Sequence, residues 1–101
     1  SIQDNKTMIK NFRLNQNYPN PFNPTTKFEY SLNNDGEIEI SIYDVTGRKI
    51  IELYKGFQSS GSYEVSWNGK DKHHKLVSNG VYLYQLKMGS KSGLRKMIFM
   101  K

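Results

Sequence analysis

Apolar and polar residues alternate along most of this chain, and the alternation is interrupted by clusters of Gly, Asn and Pro. In Lys27-Phe28-Glu29-Tyr30-Ser31-Leu32 every second position is apolar, which places Phe28, Tyr30 and Leu32 on one face of an extended strand. Asn33-Asn34-Asp35-Gly36 is a turn signal. Glu37-Ile38-Glu39-Ile40-Ser41-Ile42-Tyr43-Asp44 follows with three isoleucines on one face and charge on the other, the clearest strand in the sequence. After Val45-Thr46-Gly47 the segment Arg48–Leu53 predicts a strand with Ile51 and Leu53 on one face. Ser62–Trp67 predicts another, with Tyr63, Val65 and Trp67 inward. A long polar loop runs from Asn68-Gly69 to Asn79-Gly80, and Val81–Met88 and Leu94–Met100 form a last hairpin that turns near Gly89–Gly93. With a short strand near Phe12–Leu14 the count is about seven, at the turn spacing of an all-β, immunoglobulin-like antiparallel sandwich. Ile38, Ile40, Ile42, Tyr63, Val65 and Trp67 are its expected core. No internal repeat is present.

Ahead of the first long strand, Leu14–Pro24 holds all three prolines of the chain among four asparagines. Proline fixes φ and removes a donor, and the residue before it is pushed toward extended geometry. Asn side chains close turns on nearby backbone. The segment Asn17-Tyr18-Pro19-Asn20-Pro21-Phe22-Asn23-Pro24 therefore predicts a rigid entry loop, with Phe22 plugging one end of the sandwich. Residues 1–11, polar with scattered Ile and Met, read as a linker, and residues 12–101 as one domain.

Composition agrees with this class. Aromatics make up 13% of the 101 residues and alanine is missing altogether, which favours strand over helix. A chain this long buries roughly two-thirds of its unfolded surface, enough for a core without covalent staples. With no cysteine, disulfides, thiolate metal sites and cysteine nucleophiles are excluded. No apolar run reaches the length of a membrane span, so direct membrane insertion is not expected. The N-terminus has no charged-then-apolar signal, so an export signal is expected upstream.

Charge is uneven along the chain. Residues 1–69 carry seven Lys or Arg against eight Asp or Glu, whereas residues 70–101 carry eight against one. A basic final third attracts nucleic acid, anionic lipid or an acidic partner, or is simply a solvated lysine face.

The chemistry-bearing residues do not assemble into a site. His73 and His74 are neighbours and point to opposite sides of an extended backbone, with no third ligand in view, so no metal or other cofactor is expected. Ser, His and Asp are present without a nucleophile motif, and no catalytic residue is assigned. Phe28, Tyr30, Tyr63, Trp67, Tyr82 and Tyr84 are read as core, not as stacking platforms, while Tyr43 and Tyr54 are the better candidates for exposure. The basic interval Leu94–Met97 lacks a groove-entering helix, so nucleic acid is not an expected partner.

Several blocks in order carry a resemblance. Asn17 to Thr26 opens the domain; Ile42-Tyr43-Asp44 is followed by Gly47; Gly61 precedes Trp67-Asn68-Gly69; Ser78-Asn79-Gly80-Val81-Tyr82-Leu83-Tyr84 and Lys96-Met97-Ile98-Phe99-Met100-Lys101 close it. Together they resemble the type IX secretion C-terminal sorting domain (type A), whose fold is related to the immunoglobulin-like part of the flagellar hook-capping protein. One departure is Lys72-His73-His74-Lys75, in a loop where family members often carry Gly.

The resemblance implies an export address, not an enzyme. Such domains accompany cargo proteins across the outer membrane of Bacteroidetes-like bacteria to the surface or the extracellular space. They are recognised there by translocon or sortase components and are often removed. On this reading the partners are the secretion machinery and an upstream cargo domain of the same chain. The expected recognition residues are Arg95, Lys96, Met97, Ile98, Phe99, Met100 and Lys101 on a terminal strand with a free edge, open to β-addition, together with Gly80 for backbone geometry. The alternative is a structural spacer or a carbohydrate-binding sandwich appended to a secreted enzyme. Exposed coplanar aromatics would favour sugar binding.

Overall fold

A computed structural model gives the structure of residues 11–101. Most of the expected linker, residues 1–10, lies outside the described residues. Asn11 lies within them, and its carbonyl accepts a hydrogen bond from the Asn33 N–H at 2.8 Å.

Seven strands follow in order: β1 (Phe12–Leu14), β2 (Thr26–Leu32), β3 (Gly36–Asp44), β4 (Lys49–Gln58), β5 (Gly61–Trp67), β6 (Gly80–Met88) and β7 (Lys91–Phe99). They form two sheets, β1-β2-β5 and β4-β3-β6-β7, with every strand pair antiparallel. The architecture is the all-β sandwich that the alternation predicts.

The inward residues of the two sheets meet in one core. Phe28 of β2 stacks on Tyr84 of β6 with ring centroids 4.3 Å apart, and Trp67 of β5 meets Tyr82 of β6 edge-on at 5.7 Å. Ile38, Ile40 and Ile42 are buried between them, as their period of two requires. Each such side chain contributes about 1.5–3 kcal/mol by leaving water.

Two expectations about burial, those for Tyr63 with Val65 and for Tyr43 with Tyr54, need correction. Tyr63 and Val65 are only half-buried, because β5 is the outer strand of a three-stranded sheet and has no neighbour beyond it. In β4 it is Ile50 that is buried, while Ile51 and Leu53 are half-buried. The pairing of β3 with β4 shifts register between Ile40 and Ser41 and again between Ile42 and Tyr43, and each shift changes which side chains face inward. Tyr43 and Tyr54 are half-buried where exposure was expected; Tyr54 lies against the core and donates its hydroxyl proton to the Phe57 carbonyl at 3.0 Å.

Candidate functional site

The entry loop and the last strand meet on one side of the sandwich. Asn17, buried in the loop, organises the segment. Its amide donates to the Pro19 carbonyl at 3.1 Å and to Thr26 Oγ1 at 3.0 Å, and the Thr26 hydroxyl donates to the same carbonyl at 2.9 Å. Those bonds satisfy a buried amide inside a loop that has few backbone donors to offer, since three of its residues are proline. Tyr18 exchanges backbone hydrogen bonds with Lys27, while its ring stays exposed.

Phe22 is the plug. It is 1% exposed and sits against Trp67 and Phe99 with centroids at 5.6 and 5.1 Å. Its backbone binds β7 directly: Phe22 N–H donates to the Ile98 carbonyl at 2.9 Å, and Met100 N–H donates to the Phe22 carbonyl at 3.1 Å. Asn20 Oδ1 accepts from Ile98 N–H at 2.9 Å, and the Gln16 amide donates to the Lys96 carbonyl at 2.9 Å.

The outer edge of β7 between Lys96 and Met100 is therefore not free. The Lys96 carbonyl, both backbone groups of Ile98 and the Met100 N–H are taken by Gln16, Asn20 and Phe22, which corrects the expectation of an edge open to strand addition. The entry loop covers the edge in the way natural sheets protect a terminal strand.

The basic residues divide by role in the fold. Arg95 Nε donates to the Leu14 carbonyl at 2.7 Å and its Nη1 reaches Gln16 Oε1 at 3.4 Å, so this guanidinium ties β7 to β1. Tyr84 adds a parallel tie by donating to the Asn15 carbonyl at 2.6 Å. Burial pushes the Tyr84 hydroxyl up to about 12, against a smaller downward pull from a backbone hydrogen bond of Asn17 and the Arg95 charge. Lys96 and Lys101 are exposed instead. The Lys101 N–H donates to Asn79 Oδ1 at 3.0 Å, which fastens the last residue to the β5–β6 loop. Met97 and Phe99 are core residues, Ile98 is half-buried, and Met100 is exposed.

Asn20, Asn79 and Gln16 carry these ties; Asn20 beside Pro and Asn79 beside Gly gave a signal of it, and Gln16 gave none. Gly80 is held by conformation, not space: its φ is +148°, yet a Cβ there would meet nothing within 4 Å.

The comparisons with known proteins bear on this arrangement directly. The model of the secretion system C-terminal sorting domain family matches residues 16–100. The chain belongs to that family. No curated protein matches it. Among solved structures, the sorting domain is similar to dimeric latent PorU from Porphyromonas gingivalis at a TM-score of 0.69 and 24% identity, over 88% of this chain and 9% of that one. It is similar to PorZ, described as an essential surface component of the type IX secretion system of the same bacterium, at 0.57 and 26%, over 85% of this chain and 11% of PorZ. FlgD from P. aeruginosa matches at 0.55 and 26%, over 73% of this chain and 59% of FlgD. The sorting domain thus spans about a tenth of the length of PorU or PorZ.

The departure in the loop after Trp67 is accommodated locally. His74 takes the left-handed conformation (φ 66°) that Gly would adopt at lower cost, and Asp71 closes the turn by accepting from His73 and Lys75 N–H at 2.8 and 3.0 Å. Those bonds hold the Asp71 carboxyl below the usual carboxylate range, the Lys75 bond first among the causes. Trp67 Nε1 donates to the Lys70 carbonyl at 2.9 Å, so the loop also satisfies the buried indole.

Concave surface is shallow. Two open hollows of about 470 and 560 Å³ lie over the solvent face of β1, β2 and β5 and at the β2–β3 and β6–β7 turns. The two aromatics that are more than half exposed, Tyr18 and Phe57, lie on separate elements, the entry loop and β4, and make no coplanar pair.

Proposed function

We propose that this sorting domain directs a larger upstream cargo protein across the outer membrane to the cell surface. A translocon or sortase component of the type IX machinery reads it through a surface that the entry loop and the terminal strand build together. The family supports a secretion-signal role for the chain. The observation that carries the finer reading is the pair of backbone hydrogen bonds between Phe22 and the Ile98–Met100 segment, with Asn20 completing the set. Neither the loop nor the strand presents its backbone alone, so a receptor meets side chains of both. Arg95 and Gly80 hold this surface in shape, and Lys96, Met100 and Lys101 offer exposed groups to the receptor. Removal of the domain once the cargo is anchored belongs to the same reading.

The test fuses residues 1–101 to an inert periplasmic reporter in a bacterium that has the secretion system. Surface delivery is read by protease access on intact cells. The fusion should reach the surface, and a cleaved reporter should be lighter by close to the domain's 11.8 kDa. Asn20→Ala and a short neutral extension after Lys101 should each reduce delivery while melting near the parent. Retention of the parent fusion in the periplasm would refute the sorting role. Full delivery of both folded variants would refute the composite surface.

A further inference from the structure

With the outer edge of β7 covered, what the terminal strand still offers is its outward face. The register sets the pattern there. Val81 of β6 stands opposite Ile98, Leu83 opposite Lys96, and Gln85 opposite Leu94, while Tyr43 of β3 pairs with Leu83 on the other side. Residues of one parity share a face, so Tyr43, Val81, Leu83, Leu94, Lys96 and Ile98 lie together on the solvent side of the four-stranded sheet, with Gln85 beside them. Leu94 is 56% exposed, and Tyr43, Val81, Leu83 and Ile98 are half-buried although no further sheet among the described residues packs over them. An outward sheet face in a sandwich is normally polar, so a contiguous apolar group here marks a contact surface.

Lys96 stands on the outer strand of that group, between Leu94 and Ile98 along its own strand and opposite Leu83. The ion pairs among the described residues are Lys27–Glu64, Arg48–Asp44 and Lys49–Glu39, none of which involves Lys96. Asp71, the one acidic residue in 70–101, is engaged in its own turn. An ammonium with no ion-pair partner among the described residues, flanked by Leu83, Leu94 and Ile98, specifies its occupant more narrowly than either feature alone. A second copy of this chain would bring lysine against lysine. A bilayer would take Leu83, Leu94 and Ile98 into hydrocarbon and leave the ammonium between them without a counter-ion. A protein surface can set one carboxylate within an apolar area and satisfy both.

We infer that the outward face around Leu83, Leu94, Lys96 and Ile98 docks an apolar protein surface that carries an Asp or Glu opposite Lys96. The inference rests on the sorting reading and names the chemistry of its receptor: a component of the secretion machinery with an acidic group in an apolar site. Such a surface excludes water around the pair, so the charge sets specificity and the apolar side chains beside it set contact area.

The reporter fusion of residues 1–101 separates the outcomes. Lys96→Glu should lower the delivered fraction roughly tenfold or more, since it opposes like charges in a desolvated site. Lys96→Gln should fall between parent and Lys96→Glu, Lys96→Arg should deliver close to the parent, and Leu94→Ser should lose severalfold. Lys75→Glu, an equal change of charge on the exposed β5–β6 loop, should have no effect. Lys96 and Leu94 are exposed, so purified variants should melt with the parent; if Lys96→Glu alone melts early, Lys96→Gln decides. Delivery of the parent with undiminished Lys96→Glu and Leu94→Ser would overturn this inference and leave the sorting role standing. Failure of the parent itself would refute both. Vesicles of phosphatidylglycerol and phosphatidylcholine supply the remaining arm: co-sedimentation of the parent that Lys96→Glu abolishes would make an anionic membrane the occupant and refute the protein one.

Discussion

Truncating Phe22 to Ala tests whether the entry loop is part of the folded core or a strap laid over it. The ring is 1% exposed and wedged between Trp67 and Phe99. Removing it forfeits the transfer free energy of a buried aromatic, about 1.5–3 kcal/mol. It also loses two aromatic contacts at about 0.5–1.5 kcal/mol each and leaves a cavity that a sheet end collapses into poorly. The expected cost is about 3–5 kcal/mol, the range for large aromatic deletions. Domains of this size are stable by only about 5–15 kcal/mol, so the loss removes a large part of the whole. At roughly 4–8 °C per kcal/mol the melting temperature should fall by well over 10 °C, read by circular dichroism. Tyr18, four residues earlier in the same loop and 74% exposed, is the matched control. Tyr18→Ala should change stability by no more than about 0.5 kcal/mol. Equal effects from the two substitutions would show that the ring contributes nothing beyond the backbone bonds of Phe22 to Ile98 and Met100, and the plug would be refuted.

Three further outcomes follow from the geometry. Gly69→Ala should cost about 2–4 kcal/mol in chemical denaturation, because its φ is +77° and a Cβ would lie 2.9 Å from the Pro24 carbonyl oxygen, a backbone atom that cannot swing aside. Its neutrality would show that the loop shifts freely. His74→Gly should raise stability by up to about 1 kcal/mol, since it relieves the left-handed backbone at φ 66°, and an unchanged or lower denaturation midpoint would refute strain there. Burial pushes the Tyr30 and Tyr84 hydroxyls from 10 up to about 12, so above pH 10 the unfolded chain gives up protons that the folded one keeps. Stability should therefore fall between pH 10 and pH 12, less steeply in Tyr84→Phe, and a melting temperature that stays flat across that window would contradict the burial of both groups.

Strands whose two neighbours are both present were the legible part of this fold. The isoleucines of β3 and the alternating aromatics of β2 and β6 take the faces their period dictates, because one side of each strand meets the opposite sheet. Where a strand is an outer one, as β5 is, the same alternation gives Tyr63 and Val65 only partial burial. Where a register shift intervenes, as between β3 and β4, the period groups Ile51 with Leu53 but does not tell that Ile50 is the residue buried. The entry loop was legible as rigid from its prolines, and Phe22 as its plug from its place among them. Its partner was not. Arg95 reaches Leu14 across 81 positions and Ile98 reaches Asn20 across 78, and no local pattern encodes which distant carbonyl or amide a long side chain will find. The basic terminal stretch therefore looked uniform, whereas the fold assigns Arg95 to the tie and leaves Lys96 outside.

The Phe22–Phe99 bridge is parallel, in a domain whose named strands otherwise pair antiparallel. Direction matters once the chain is under tension. A pull on the segment before the entry loop and an opposing pull on Lys101 draw these two stretches along their common axis in opposite senses. The bonds of Phe22 to Ile98 and Met100, and of Asn20 to Ile98, then share the load in shear and must yield together. An antiparallel closure at the same place would open like a zipper, one bond at a time. A domain loaded in this direction is clamped at the point where both ends of the pull arrive.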